Sequence, residues 1–344
     1  MTSLLERETG PGRRNDVPAG DRTAILGIGG AGCRIVRRIA QQIAQRDQNT
    51  DVNLFLMDSD KKELELLLED ESAGPVRELC FDRSWGHIFA AKTGASLGEQ
   101  DSFTGVISGY GLVLVVAGLE KEADGRLEKG AGGGPEKETG GQAALRVCDF
   151  LKDKETLTLV FSVLPSRFEE VCQSSLDYLK RIAGSADAVL IIENDRVCRD
   201  RDAHRAADEI VLRAVLMLID SMNEENLMSL NLPALKAVFR KAGLGCVFAA
   251  SSGGRQRDTA LAEQIRSRFL AASKPFEKTG GVMVLLSGPL DLKLLEVNTI
   301  GQALAEEIDP QADVLFNAVV DESRDGVEAV FFLTGFKGYG RIAS

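Results

Sequence analysis

The sequence predicts an α/β protein built from a parallel-sheet domain, a long central helix and a smaller α+β domain. Short apolar runs alternate with segments of helical periodicity through the first 200 residues, and several runs are apolar throughout, which is typical of strands covered on both faces. A longer apolar stripe of helical spacing follows from residue 203. Because 344 residues exceed one ordinary core and suit about two domains, we expect the long helix to join them.

The first domain is expected at 23–202. Before it, residues 1–22 are polar, rich in Gly and Pro and balanced in charge, which predicts a disordered tail. The helices expected between its strands include AGCRIVRRIAQQIAQR and KKELELLLED. Residues 120–142 form a Gly-rich, charge-rich loop inside this domain. The predicted strands are TAILGIG, VNLFLMDSD, GLVLVVAG (111–118), LTLVFSVLP (157–165) and AVLIIEN (188–194).

The central helix is expected at 203–226, where the apolar residues of HRAADEIVLRAVLMLIDSMNEEN form one stripe. The α+β domain is expected at 227–336 with a sheet of its own, followed by a short tail at 337–344. Its helices are expected at 258–272 and about 291–308. Its predicted strands are LGCVFAASS, GVMVLLSG, DVLFNAVV and GVEAVFFLTGF.

The composition excludes several classes of protein. Lys and Arg number 41 against 52 Asp and Glu, a net charge of −11 without a long basic run, and aromatic residues make up 6%, so we expect no nucleic-acid partner. Two histidines, and six singly spaced cysteines without a C-x-x-C pair, argue against a metal site and a disulfide framework. No apolar run approaches the ~20 residues of a membrane span or resembles a signal peptide. We therefore expect a cytoplasmic protein without a membrane segment.

A glycine motif of the form G-x-G-x-x-G joins the first predicted strand to the first helix. Gly27, Gly29 and Gly32 occupy its fixed positions. Glycines there permit a tight turn and close backbone approach, so that amides at the helix start can hold a phosphate. An acid after the second strand, Asp58 or Asp60, could contact a ribose. These residues leave open whether the ligand is a dinucleotide or a mononucleotide.

Five motifs in a fixed order carry a family resemblance. They are GIGGAGCRIVRRIA, the Gly-rich AGGGPEKETGGQAA, FEE after a strand, IENDR, and HRAADEIVLRAV at the start of the long helix. Together they resemble the tubulin/FtsZ superfamily over residues 23–336, and FtsZ in particular. The resemblance implies a Rossmann-like nucleotide-binding domain, GTP or GDP as ligand, and Mg²⁺ only when GTP is bound. It also implies head-to-tail self-association into filaments, with another FtsZ-like protein or a membrane-linked adaptor as further partners.

The resemblance also implies nucleotide-contacting positions, several of them altered. Arg34 stands where the family has an Asn that reads the guanine, and His204 stands where FtsZ usually has a stacking Phe. Gln173 replaces an Arg near the ribose-contacting Glu, whereas Asp208 matches the Asp that pairs with the guanine N–H groups. For Asn194 and Asp208 a helix-cap or turn role is the alternative. The implied positions are Gly29, Gly30, Ala31, Gly32, Arg34, Gly133, Gly134, Thr139, Gly140, Glu169, Asn194, His204 and Asp208.

The second glycine loop departs furthest from the family pattern. The family has GGGTGTG soon after the strand that ends here at Gly118, and the amides and Thr hydroxyl of that run wrap the phosphates. In this chain a charged stretch precedes the glycines at 132–134, and PEKE separates them from Thr139, Gly140 and Gly141. Proline removes an amide donor, and carboxylates repel phosphate. Either both glycine groups form a looser cradle or, as we favour, the loop no longer binds phosphate.

The acids that the family uses for hydrolysis are missing. In the family a loop after the long helix enters the next subunit's nucleotide site, and the two Asp residues of N-x-D-F-x-D polarise the attacking water. Asn231 and Ala234 fall on those positions, and no Asp or Glu lies between Asn226 and Lys241. A carboxamide and a methyl group cannot accept the water's proton, so general-base help of ~10²–10⁴-fold is lost. We therefore expect GTP hydrolysis to be slow or absent, and we assign no catalytic residue.

Three functions follow, in order of preference. The first is an FtsZ-like, filament-forming cytoskeletal protein, a pseudo-GTPase whose nucleotide binding is weakened or lost. The second is an active GTP-hydrolysing FtsZ-like polymer with reorganised loops. The third is an NAD-binding Rossmann oxidoreductase, motivated by the glycine motif and by Asp58 or Asp60, although the chain lacks an evident catalytic His or Lys–Tyr pair.

Overall fold

The computed structural model describes ten stretches of the chain, which contain eleven strands and eight helices. These stretches are residues 22–45, 52–58, 78–82, 87–92, 103–118, 139–163, 173–192, 203–222, 230–272 and 280–336. The strands are β1 (Thr23–Ile28), β2 (Val52–Asp58), β3 (Glu78–Asp82), β4 (His87–Lys92), β5 (Leu112–Gly118), β6 (Leu157–Val163), β7 (Ala188–Ile192), β8 (Gly243–Gly253), β9 (Gly281–Gly288), β10 (Asp313–Val320) and β11 (Gly326–Phe336). The helices are α1 (Gly29–Gln45), α2 (Phe103–Ile107), α3 (Gly140–Leu151), α4 (Gln173–Ala183), α5 (Ala203–Met222), α6 (Leu232–Phe239), α7 (Arg257–Ala272) and α8 (Leu294–Ala305).

All eleven strands belong to one sheet, in the order β10-β9-β11-β8-β7-β6-β5-β1-β2-β4-β3. The strands β1, β2, β5, β6, β7 and β8 are parallel to one another, so their carboxyl ends lie at one edge of the sheet. β11 runs antiparallel to β8 and β9, and β4 runs antiparallel to β2 and β3. The predicted α/β class, with strands and helices alternating around a parallel sheet, is confirmed.

The C-terminal strands extend this sheet instead of forming a sheet of their own, so that expectation is wrong. β7 and β8 pair in parallel over four residues. Asp187 fixes their alignment, because its backbone oxygen accepts a hydrogen bond from Gly243 N at 2.9 Å. Its carboxylate also accepts from Thr158 N at 2.9 Å and from Lys241 N at 3.3 Å. One side chain thereby holds the starts of three neighbouring strands in line.

Helices cover both faces of the sheet. On one face α1, α5 and α6 pack over strands of both halves in one continuous apolar core. On the opposite face the core is divided: α3 and α4 cover mainly β1, β5, β6 and β7, whereas α7 and α8 cover β8, β9 and β11. The apolar stripe of α5 lies fully buried at Val211, Ala214, Val215 and Leu218. This long helix therefore bridges the two halves of the sheet.

Some expectations fall outside the described residues. These are the two tails, the helix KKELELLLED, the charged stretch 120–138 and the end of the central helix at 223–226. The strands β3 and β4 were not predicted from the sequence. They are five and six residues long and mix charged residues with apolar ones, so they lack the uniform apolar run that identifies the central strands.

Candidate nucleotide-binding site

Two helices begin side by side at the carboxyl edge of the parallel strands. α1 starts at Gly29 directly after β1, and α3 starts at Gly140, beyond the end of β5. Gly29 has a φ of +70°, which favours glycine. A Cβ placed on Gly140 would lie 3.2 Å from the carbonyl oxygen of Gly118 and 3.8 Å from the Cα of Gly29. The free amides of both helix starts can therefore face one anionic group.

Close packing of α1 against the sheet explains two further glycines. A Cβ on Gly32 would lie 2.2 Å from the carbonyl oxygen of Val116, and a Cβ on Gly27 would lie 2.6 Å from the carbonyl oxygen of Gly32. A side chain at Gly32 would push α1 away from β5, and one at Gly27 would push α1 away from β1. Gly27 and Gly32 thus set the approach of α1 to the sheet, which in turn keeps Gly29 next to Gly140.

Thr139 caps α3. Its side-chain oxygen accepts a hydrogen bond from Gln142 N at 3.3 Å, and the Gln142 side chain accepts from Thr139 N at 2.9 Å. This capping box satisfies two donors at the helix start. The Thr139 oxygen is therefore engaged within the helix cap, and its O–H remains the group it could offer to a ligand.

An ion pair joins α1 and α5 at the position where the family resemblance places base recognition. Arg34 Nε lies 3.4 Å from Asp208 Oδ2, and the Asp208 side chain is only 10% exposed, against 54% for Arg34. One turn further along α1, Arg38 Nη2 lies 2.8 Å from Glu209 Oε2. The Asp208 carboxylate, which we expect to accept guanine N–H groups, is therefore already paired with the guanidinium of Arg34. The sequence indicated only that Arg34 weakens recognition of the base, and it did not indicate this ion pair.

A groove of about 720 Å³ lies between α1, α5, the end of β8 and the start of β11. On its wall, buried Glu328 pairs with Arg213 Nη1 at 2.7 Å and with Arg324. Burial alone would raise the pKa of Glu209, but hydrogen bonds from Arg38 and Arg213 bring that pKa below its ordinary value. No described residue of the groove wall is a predicted nucleotide contact.

Sequence reasoning missed this chain of ion pairs. Its one visible signal was the spacing of Glu209 and Arg213, four residues apart on the same helix. The pairs that join Arg38 to α5, and α5 to Glu328, involve residues separated by more than a hundred positions. Only the fold brings them together.

The remaining predicted positions divide into two groups. Asp58 is buried at the end of β2, and His204 is the second residue of α5. Asp60, Gly133, Gly134, Glu169 and Asn194 lie outside the described residues.

Among the described side chains, no cluster of three His, Cys, Asp or Glu is placed to hold a metal ion. None of the described helices combines the length and apolar character that a bilayer crossing requires.

Asn231 and Ala234, which stand where the resemblance places two acids, form the N-terminal cap of α6. The Asn231 side-chain oxygen accepts a hydrogen bond from Ala234 N at 2.9 Å, and Pro233 lies in the first turn of α6. Leu230, just before the cap, donates its backbone N–H to Ser221 O at 2.7 Å. This bond ties the start of α6 back to the last turn of α5.

This architecture, with two glycine-initiated helix starts at one sheet edge and a 20-residue helix leading to a second set of strands, is similar to the fold of solved FtsZ and CetZ proteins. That fold is the one of the tubulin/FtsZ superfamily. The comparisons with known proteins support the resemblance to that superfamily that the sequence motifs indicate. Residues 242–337 match the family model "FtsZ family, C-terminal domain". The NAD-binding oxidoreductase is accordingly not favoured.

Individual relatives are similar over most of the chain. The chain is 24% identical over 328 residues to "Cell division protein FtsZ 2" of Methanocaldococcus jannaschii, covering 92% of this chain and 80% of that protein. A solved FtsZ of M. jannaschii, a point mutant, superposes with a TM-score of 0.67 at 18% identity, covering 92% of this chain and 91% of its own. CetZ2 of Haloferax volcanii, solved as a GTPγS-bound protofilament, gives a TM-score of 0.62 at 17% identity, with coverages of 93% and 95%.

Proposed function

We propose that this chain is an FtsZ-like cytoskeletal subunit that assembles head to tail into filaments, binds guanine nucleotide weakly or not at all, and hydrolyses GTP slowly or not at all. The similarity to FtsZ proteins supports the cytoskeletal role, and the protofilament form of CetZ2 supports self-association. A cytoplasmic location is part of the proposal.

The observation that carries the proposal is the cap at the start of α6. The family resemblance implies that the loop before this helix enters the nucleotide site of the neighbouring subunit and completes it. Here Asn231 supplies a carboxamide that is bonded to the helix start, and Ala234 supplies a methyl group. Neither can accept a proton from water. The neighbour's nucleotide site therefore receives no general base from either position.

The phosphate end of the site fits a nucleotide better than the base end does. Gly29 and Gly140 place two helix starts together, which suits a phosphate group. At the base end, Asp208 can accept guanine N–H groups only in competition with Arg34. We infer weakened affinity from this competition. Contacts from Gly133, Gly134, Glu169, Asn194 and His204, and a role for Mg²⁺ with GTP, stay predictions.

The active-polymer alternative differs from the proposal in one measurable quantity. Phosphate release from GTP should be measured under conditions in which sedimentation shows polymer. We expect turnover far below that of an ordinary FtsZ. Brisk release that rises with protein concentration would overturn the proposal and would direct attention to Glu224 and Glu225, which follow α5.

Restoring the acids sharpens this test. Combining Asn231→Asp with Ala234→Asp should raise phosphate release, because Asp supplies a carboxylate and also caps helices well. The matched control is Asn231→Ser, which keeps the cap without a carboxylate and should leave release unchanged. Equal release by the doubly acidic variant and the Ser control would show that the loop does not reach a nucleotide site.

The base end is tested by two substitutions on one ion pair. Asp208→Ala should abolish any guanine-nucleotide binding, because it removes the carboxylate that we expect to accept the guanine N–H groups. Arg34→Asn should strengthen binding, because it removes a guanidinium that competes for Asp208 and restores the residue type of the family. Guanine-nucleotide affinity measured by calorimetry, with NAD as the comparison ligand, separates these outcomes. Unchanged guanine affinity in Asp208→Ala would show that the assigned site is wrong.

A further inference from the structure

Arg240 lies directly after α6 and connects that helix to the half of the sheet that precedes it in the chain. Its Nη1 donates a hydrogen bond to Thr156 O and its Nη2 donates one to Lys154 O, both at 2.9 Å. Its Nε lies 3.5 Å from Asp187 Oδ1. Because these acceptors lie just before β6 and β7, one guanidinium joins the end of α6 to the starts of two strands.

The guanidinium geometry suits this set of acceptors. Arginine presents five N–H donors in a fixed planar fork, whereas the ammonium of lysine is a compact point charge. Three different nitrogen atoms of Arg240 face two carbonyl oxygens and one carboxylate. The pair is also sheltered, since 32% of the Arg240 side chain and 13% of the Asp187 side chain are exposed. Solvent and salt therefore screen it less than an ordinary surface pair.

Two residues with a left-handed backbone flank these contacts. Asp153 has a φ of +64° and Lys241 a φ of +55°, and in the described part of the chain every other positive φ belongs to glycine. Such a conformation is uncommon outside glycine and persists where surrounding contacts determine it. Lys241 N donates to Asp187 Oδ1 at 3.3 Å, and Arg240 binds the carbonyl of Lys154, the residue after Asp153. The Arg240 contacts therefore hold both turns in place.

The helix α6 is short and is fixed at its other end as well. Its eight residues correspond to ~12 Å of rise, and Phe239 in its last turn is fully buried. The Phe239 ring packs edge-to-face on Phe332 of β11, with centroids 6.0 Å apart. Just before its first turn, Leu230 N donates to Ser221 O of α5 at 2.7 Å. A displacement of either end of such a short helix therefore moves the other end.

We propose that Arg240 is a positioning residue for the contact between subunits: it fixes α6 along its axis, so that the Asn231 cap meets the neighbouring subunit in a defined place. This inference rests on the proposed head-to-tail assembly and adds to it a residue that acts through the helix. Arg240 lies nine residues from Asn231, or ~13 Å along a helix. A surface that is already ordered loses less conformational freedom on binding, so assembly benefits from this placement.

Two lysine substitutions separate positioning from general stability. The test variant, Arg240→Lys, keeps the positive charge but lacks the fork that reaches all three acceptors. The control variant is Arg257→Lys at the start of α7. Arg257 is also bound by two carboxylates, those of Asp291 and Glu296, which lie before and within the first turn of α8. Both variants should lower the urea midpoint, because each loses hydrogen bonds of a sheltered guanidinium.

Amide hydrogen exchange of the monomer measures the placement of α6 without assembly. Ala234 donates its N–H to Asn231 at the first turn, and Lys241 donates its N–H to Asp187 just after the last turn. In the test variant both amides should exchange about tenfold faster, because the whole helix is released. In the control variant both should match the wild type. Unchanged exchange at Ala234 in the test variant would show that Arg240 is only a local contact, and it would overturn the proposal.

Sedimentation of the full chain, with and without GTP, measures the assembly step. The test variant should require about tenfold more protein for half of it to sediment, whereas the control variant should assemble as the wild type does. Equal assembly by the test variant and the wild type refutes the proposal. Equal weakening in both variants also refutes it, since lost stability then limits assembly. A wild type that never sediments refutes the proposed function instead, and exchange at Ala234 still decides whether Arg240 positions α6.

Discussion

Replacing Gly32 by alanine tests how closely α1 packs against β5. The added Cβ would lie 2.2 Å from the carbonyl oxygen of Val116 and 3.1 Å from its carbon. Both atoms belong to the backbone of β5, which is paired on both sides, so no side chain can swing away. Relief to an ordinary contact, which begins at 3.4 Å, requires α1 to move by more than 1 Å.

The size of the effect follows from two opposing terms. Overpacking of this kind costs typically ~1–3 kcal/mol, occasionally more, whereas exchanging glycine for alanine in a helix gains up to about 1 kcal/mol. We expect Gly32→Ala to lose about 2 kcal/mol of unfolding free energy. The shift of α1 would also separate Gly29 from Gly140, so any nucleotide binding should fall with stability.

Gly301→Ala in α8 is the matched control. There the added Cβ would meet only the Phe316 ring, at 4.0 Å, so the helix-propensity gain of up to about 1 kcal/mol should appear undiminished. Urea unfolding followed by circular dichroism should place the two variants on opposite sides of the wild type, about 3 kcal/mol apart. Shifts of equal sign and size would refute the close approach of α1 to β5.

Three further outcomes are expected. Asn231→Ala should lose about 1 kcal/mol of unfolding free energy by removing the α6 cap, whereas Asn231→Ser should retain most of it; urea unfolding measures both. The hydrogen bond from Arg257 holds the pKa of Glu296 below its ordinary value, so this stabilisation is present at neutral pH and lost as pH falls through that lowered pKa. Glu296→Gln should therefore be less stable at neutral pH, and urea midpoints measured across a pH series should converge with the wild type in acid. Burial raises the pKa of Cys148, so peptide-level mass spectrometry should find its alkylation only under unfolding conditions.

The sequence alone was sufficient to predict the strands and helices that are determined by short-range patterns of apolar residues. Uniform apolar runs identified β1, β2, β5, β6 and β7, and helical periodicity identified α1 and α5, because burial on both faces or along one stripe leaves a direct pattern. The glycine motif placed a helix start directly after β1, although the helix begins at Gly29, two residues before the expected Ala31. Strand order did not follow: apolar content says that a strand is buried, but it does not say which strand pairs with it. The junction of β7 with β8 depends on Asp187, whose alignment role has no sequence signature.

The candidate site divides in the same way. The glycines and the absence of carboxylates at Asn231 and Ala234 could be read from the sequence, because each depends on the residue type at one position. The engagement of Asp208 was not readable, since its partner Arg34 lies 174 positions away and looked like a simple replacement of the family's Asn. Long-range ion pairs depend on how α1 and α5 cross, and that geometry is set by the whole core.

The junction between β7 and β8 has a mechanical consequence. Four residue pairs connect the two halves of the sheet there, and the apolar core passes across the junction on only one face, under α1, α5 and α6. On the other face one cluster extends only as far as Leu244 at the start of β8, and a separate cluster begins at Ala250 of the same strand. Bending that moves the two halves of the sheet apart on the side of α5 must expose buried apolar surface of that helix. Bending in the opposite direction separates two apolar clusters that are already distinct. The molecule is therefore stiffer towards one direction of curvature than towards the other.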